Sequence, residues 1–126
     1  VGQVSAAVRK QARERDGNSC VARGVLPGKC WGALEAGHIV GRGNGGTPDA
    51  DLYDEVQWLV THCTGHNRAI ESDAAARAAA KAAGQRLSRI HTSLLPARAL
   101  VLYPDGEHYY LNPDGTKERM NGWSQE

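Results

Sequence analysis

His62-Cys63-Thr64-Gly65-His66-Asn67-Arg68 decides how this chain folds. A thiol and an imidazole spaced Cys-x2-His at a helix start project from one turn, where they supply two ligands to a single metal ion. Asn67 follows directly, projects from the same turn and adds an amide oxygen. The apolar run Val56 to Thr61 leads into this stretch and is expected to pack under the metal site, with a helix from near Cys63 to Glu71.

Working outward, Cys20 and Cys30 are separated by nine residues and complete a set of three thiolates and one imidazole with Cys63 and His66. Structural zinc takes four such ligands in a tetrahedron. The wide first spacing predicts a capped loop instead of a tight knuckle. The alternative is three small buried hydrophobes and a surface histidine. Three cysteines cannot all pair with one another, so an odd count beside a Cys-x2-His pair favours metal over a disulfide framework. Such a site ties the N-terminal third of the chain to the central helix and carries much of the folding free energy.

The chain has 126 residues, no Phe, one Met and three Trp, which predicts one domain with a thin core. Net charge is +1, so any nucleic-acid contact has to come from a local patch and not from the whole-molecule field. No apolar run approaches the roughly 20 residues that span a bilayer, and no charged-then-apolar signal segment opens the sequence. The expectation is a protein of a reducing cytoplasm with no membrane partner.

Val4 to Asp16 reads as a basic helix with Ser5 as its cap, and Val4, Ala7, Val8 and Ala12 recur at helical spacing. Arg9, Lys10, Arg13 and Arg15 form either a solvated face or a contact for a DNA backbone. Asp16-Gly17-Asn18 turns the chain. Ala33 to Val40 is a short strand candidate broken by Gly37, and residues 41–51 are glycine-rich loop. Ser72-Asp73 resembles a new N-cap, ahead of an Ala-rich helix from Ala74 to Ala83 stopped by Gly84. Ala99 to Tyr103 and Glu107 to Leu111, turned by Pro104-Asp105-Gly106 and followed by Asn112-Pro113-Asp114-Gly115, predict a C-terminal β-hairpin or three-stranded meander over about 99–119.

Taken in order, Glu35-Ala36-Gly37-His38-Ile39-Val40, the Gly41 to Pro48 loop and Leu59 to Asn67 resemble the HNH endonucleases, the ββα-metal nucleases that often carry a zinc knuckle. The resemblance covers roughly residues 11–72. It is strongest to small HNH proteins of actinobacterial phages, and phage junction-resolving members are similar in placing Asn directly after the last zinc ligand. It implies an α+β fold with a ββα-metal core over about 17–72, a structural zinc, an N-terminal helix, the Ala-rich helix 73–84 and the C-terminal hairpin, all in one domain. It also implies metal-dependent hydrolysis of DNA phosphodiesters.

In that chemistry a water is activated and a cation neutralises charge on the scissile phosphate. The resemblance makes His38 the general base and Asn67 a ligand to Mg²⁺ or Mn²⁺. Glu71, four residues on and on the same helix face, is a second candidate ligand. The family's middle Asn, which holds the loop by backbone hydrogen bonds, aligns with Trp58 or its neighbour Gln57, and Gln57 is the one that could make a similar bond. Arg42, Arg68, Arg9 and Arg13 are the candidate phosphate contacts. Two departures stand out. Gly37 occupies the position before the base, where the family has a metal-binding Asp or His, and the middle Asn is replaced. Glu35 lies on the same strand face as Gly37, either as a compensating ligand or as a surface residue. His62 is either a hydrogen-bond partner to the metal ligands or part of the strand end. The implied partner is DNA. The rival is a zinc-stabilised DNA- or protein-binding domain that has lost the site, and family analogy adds a phage packaging partner and a bacterial host cytoplasm.

Overall fold

The computed structural model describes residues 4–40, 55–87 and 98–120. Their order is α1 (Ala6–Arg15), β1 (Leu34–His38), a 3-10 turn (Val56–Trp58), β2 (Leu59–Cys63), α2 (Thr64–Ser72), α3 (Ala74–Ala82), β3 (Leu100–Leu102), β4 (His108–Leu111) and β5 (Lys117–Arg119). The chain is therefore a small α+β protein with two antiparallel sheets, β1-β2 and β3-β4-β5. The glycine-rich loop and Arg42 lie outside the described residues. None of the described helices is long and apolar enough to cross a membrane.

Each helix starts on a side-chain acceptor. Ser5 Oγ accepts from the Val8 N–H at 3.2 Å, and Asp73 accepts from Ala75 and Ala76. Cys63 Sγ takes the same role for α2, accepting from the His66 N–H at 3.3 Å. At the end of α3 Gly84 turns with φ +74°, and the backbone there approaches Leu100 so closely that an added Cβ would lie 2.0 Å from its carbonyl oxygen.

The β1-β2 register pairs Leu34 with Cys63, Glu35 with His62, Gly37 with Val60 and His38 with Leu59. The strand runs through Gly37 instead of breaking there, because the neighbouring strand fills the space that a side chain would take. The C-terminal segment is the three-stranded meander, with Leu100 opposite Tyr110 and Tyr110 opposite Glu118.

Among the described residues two apolar clusters form the interior. One joins Val21, Ile39, Val40, Trp58 and Val60 to Ala99, Val101, Tyr103 and Leu111. The other, around the start of α2, consists of Cys20, Ala22, Leu26, Cys63, Ile70, Ala80 and Ala83. Small residues dominate the second, so α3 packs close but contributes little apolar area.

The buried face of α1 differs from its sequence pattern. Ala12 and Val4 are buried, Ala7 is exposed and Arg15 is inside. Arg15 can be buried because every part of its fork is engaged. Nε and Nη2 donate to the two oxygens of Asp16, while Nη1 and Nη2 reach the carbonyls of Val56 and Leu59. Asp16 also accepts from Tyr103 Oη at 2.6 Å and from the Thr61 N–H at 2.9 Å. Burial first, then the Asp16 charge, push the Tyr103 hydroxyl above its ordinary range and keep it a donor. One carboxylate thus ties α1, β2 and the end of β3.

Candidate metal centre

The start of α2 carries Cys63 and His66, and the turn after α1 brings Cys20 beside them. The loop before β1 closes over the group with Cys30. One ligand atom from each of these four residues lies within 4.8 Å of every other. His66 Nδ1 is 3.2 Å from Cys63 Sγ and 3.6 Å from both Cys20 Sγ and Cys30 Sγ. A tetrahedral zinc with Zn–S of about 2.3 Å and Zn–N of about 2.0–2.1 Å sets sulfur and nitrogen about 3.6 Å apart. The spacing therefore fits zinc at the centre. His66 Nε2 lies 3.1 Å from the Gly28 carbonyl. That bond places the proton on Nε2 and leaves the Nδ1 lone pair for the metal.

The thiols are unequal without the ion. Burial pushes Cys20 up to about 12. Burial also acts to raise Cys63, but N–H donors from His66 and Trp31 outweigh it and bring it down to about 7. Cys63 is thus the thiol that most readily deprotonates to receive a metal. All three cysteines are free.

At the junction of β1 and α2 a second group of polar side chains meets. Glu35 accepts from Thr64 Oγ1 at 2.7 Å and from Asn67 Nδ2 at 2.8 Å. The Thr64 hydroxyl, then Asn67 and the charge of Arg68, hold its carboxyl below the ordinary carboxylate range. Glu35 is therefore the residue that meets Asn67. The signal in the sequence was its place two residues before Gly37, which puts both on one strand face. Glu71 takes a different partner: its carboxylate is 2.6 Å from Arg86 Nη2. Arg86 had no signal, since only the tertiary fold brings residue 86 beside α2.

His38 ends β1, half-buried, on the strand face opposite Glu35 and Gly37. Gln57 lies in the 3-10 turn and donates to Glu55 Oε1 at 2.8 Å. Arg9 Nη1 donates to the Val4 carbonyl, and Arg13 is half-buried in the last turn of α1. Arg68 is exposed, with its guanidinium over the Trp31 ring.

His62 is a buried strand residue. Its Nε2 lies 2.9 Å from Gln85 Oε1, and Gln85 in turn donates to the carbonyls of Val21 and Leu102. Burial lowers its pKa to about 4, so the ring is neutral. A Cβ placed on Gly37 would lie 2.4 Å from His62 Nδ1. The His62 ring thus fills the space in which a side chain at residue 37 would start. Because Gln85 pins the ring, Gly37→Ala is expected to destabilise the fold by about 1–3 kcal/mol. Denaturant unfolding at constant zinc occupancy measures this, and an unchanged midpoint would show that the ring yields freely.

The chain matches no family model, no curated protein and no solved structure.

Proposed function

We propose that the protein is a metal-dependent DNA endonuclease or nickase of the HNH class, with zinc as its structural ion. One observation carries the reading: Glu35 on β1 meets Asn67 on α2 within 2.8 Å, at a hairpin–helix junction fastened by the Cys20, Cys30, Cys63 and His66 cluster. Asn67 turns its amide nitrogen to Glu35, so the hard-oxygen donor set that suits Mg²⁺ or Mn²⁺ would be the Glu35 carboxylate together with Asn67 Oδ1. Glu35 and Asn67 would hold that cation, which supplies charge neutralisation at the scissile phosphate when bound. Glu35 then stands in for the side chain absent at Gly37. His38 takes the proton of the attacking water on a ring nitrogen. Glu71, the other candidate ligand, pairs with Arg86 through Oε2. Arg68, and Arg42 with Arg9 and Arg13, would contact phosphates.

The second reading is a zinc-stabilised DNA- or protein-binding domain without cleavage. The observation favouring it is the His62 ring against Gly37, which leaves no room for the usual ligand. Incubating the protein with supercoiled plasmid in Mg²⁺, Mn²⁺ and Ni²⁺ separates the two. The nuclease reading expects nicked or linear product, reduced by about 10²- to 10⁴-fold in His38→Ala with unchanged zinc content and circular dichroism. Absence of product in every cation, with salt-sensitive retention of DNA, would establish the second reading.

A further inference from the structure

Trp31 is the exposed large hydrophobic side chain among the described residues, at 55% exposure. Its place is nonetheless fixed. Cys30, the residue before it, belongs to the metal cluster. Its carbonyl accepts from the Gly65 N–H at 3.0 Å. The indole edge lies on the backbone of α2, where a Cβ at Gly65 would come within 2.4 Å of Cδ1 and Nε1. The ring is therefore a rigid plate held at the surface and not a loose side chain.

Its surroundings are cationic. The Arg68 guanidinium carbon stands 5.5 Å from the ring centroid. Lys29 precedes the ring by two residues and Arg23 by eight. All three cations are exposed, and residues 17–34 contain no acidic residue. The nearest carboxylate in sequence, Glu35, is turned onto Thr64 and Asn67. An exposed ring with a mobile guanidinium over it, in a segment whose charges are all cationic, offers two interactions at once. An acidic peptide would use only the charges. A nucleotide uses both, by stacking its base and presenting its phosphate.

We propose that Trp31, with Arg68 over its ring and Lys29 just ahead of it in the chain, is a stacking platform for an unpaired nucleobase. The substrate class is therefore DNA carrying unpaired nucleotides: a single strand, a fork or a branch. A base inside a duplex has no free face to offer. This inference rests on the proposal that the protein acts on DNA.

The test uses the zinc-loaded full chain with no added divalent cation, so it does not depend on cleavage. Anisotropy of labelled oligo(dT), and of a duplex of equal length, is measured for the parent, Trp31→Ala and Trp31→Phe, with zinc content checked in each. Trp31→Ala is expected to weaken oligo(dT) binding by roughly tenfold or more. Trp31→Phe stays within about threefold of the parent, since a ring still stacks, and duplex binding moves by less than about threefold in either variant. In the parent, oligo(dT) quenches indole emission, and Trp31→Phe removes that quench. This second readout holds even where Trp31→Ala disturbs the loop. Parent protein that shows no quench, or Trp31→Ala that binds oligo(dT) like the parent, overturns the platform. Competition by polyglutamate equal to that by oligo(dT) of the same charge also overturns it, in favour of an acidic protein partner. Cleavage with no role for Trp31 would sink this inference alone, whereas stacking without cleavage would sink the nuclease reading alone.

Discussion

Stripping zinc with a chelator is expected to unfold the half of the molecule built on α2. The apolar cluster on that side consists of Cys20, Ala22, Leu26, Cys63, Ile70, Ala80 and Ala83, so few large side chains hold α3, α2 and the loop before β1 together. Apparent zinc-binding free energies of about 10–16 kcal/mol for comparable small sites match or exceed the roughly 5–15 kcal/mol by which whole domains are stable. Removing the ion also leaves thiols of very different proton affinity crowded around His66 Nδ1. Cys63→Ser is the sharper probe. Its hydroxyl can still accept from the His66 N–H, so the start of α2 keeps its cap while the metal loses a thiolate. The expected result is one zinc per chain in the parent, sub-stoichiometric zinc in Cys63→Ser, and loss of the cooperative thermal transition in both that variant and the chelated parent. Mass spectrometry under native conditions and circular dichroism measure these. A chelated protein that melts at the temperature of the zinc-loaded form would show that the cluster is not what holds this half together.

Asp16→Ala carries the second large effect, in the buried network that joins α1 to β2. One carboxylate there receives Arg15 through two nitrogens, the Tyr103 hydroxyl and the Thr61 N–H. Its removal leaves a buried guanidinium without its counter-charge and two donors without an acceptor. Breaking a buried pair in this way costs about 3–5 kcal/mol. Tyr103→Phe deletes a single hydrogen bond to the same charged group and should cost about 1.5–3 kcal/mol. Because both changes act on one network, the double variant should lose less than the sum of the two. Urea unfolding of all four proteins with zinc bound gives the cycle. Strict additivity would mean that Tyr103 does not depend on Asp16.

The local elements were largely legible in the chain. Ser5 and Asp73 mark helix starts because a short side-chain oxygen satisfies a free N–H wherever the helix later packs. Pro104-Asp105-Gly106 and Asn112 to Gly115 mark the turns of the meander through their backbone preferences. The cluster of Cys20, Cys30, Cys63 and His66 was legible because metal chemistry accepts few residue types. Arg15 was not: it read as one more cation on a basic helix, and only Asp16 together with two carbonyls of distant residues makes its burial tolerable. Glu71 shares a helix face with Asn67, as its spacing implies, yet Arg86 takes its carboxylate.

The amino-acid sequence by itself determined which segments become helix, strand and turn and which four residues gather into a cluster that fits a metal, because those outcomes depend on short-range backbone preference and ligand identity. Tertiary structure alone decided which charges go inside, that His62 occupies the space beside Gly37, and that Glu35 meets Asn67. These depend on which groups become neighbours across the fold, and a side chain's environment is fixed only when every surrounding surface is in place.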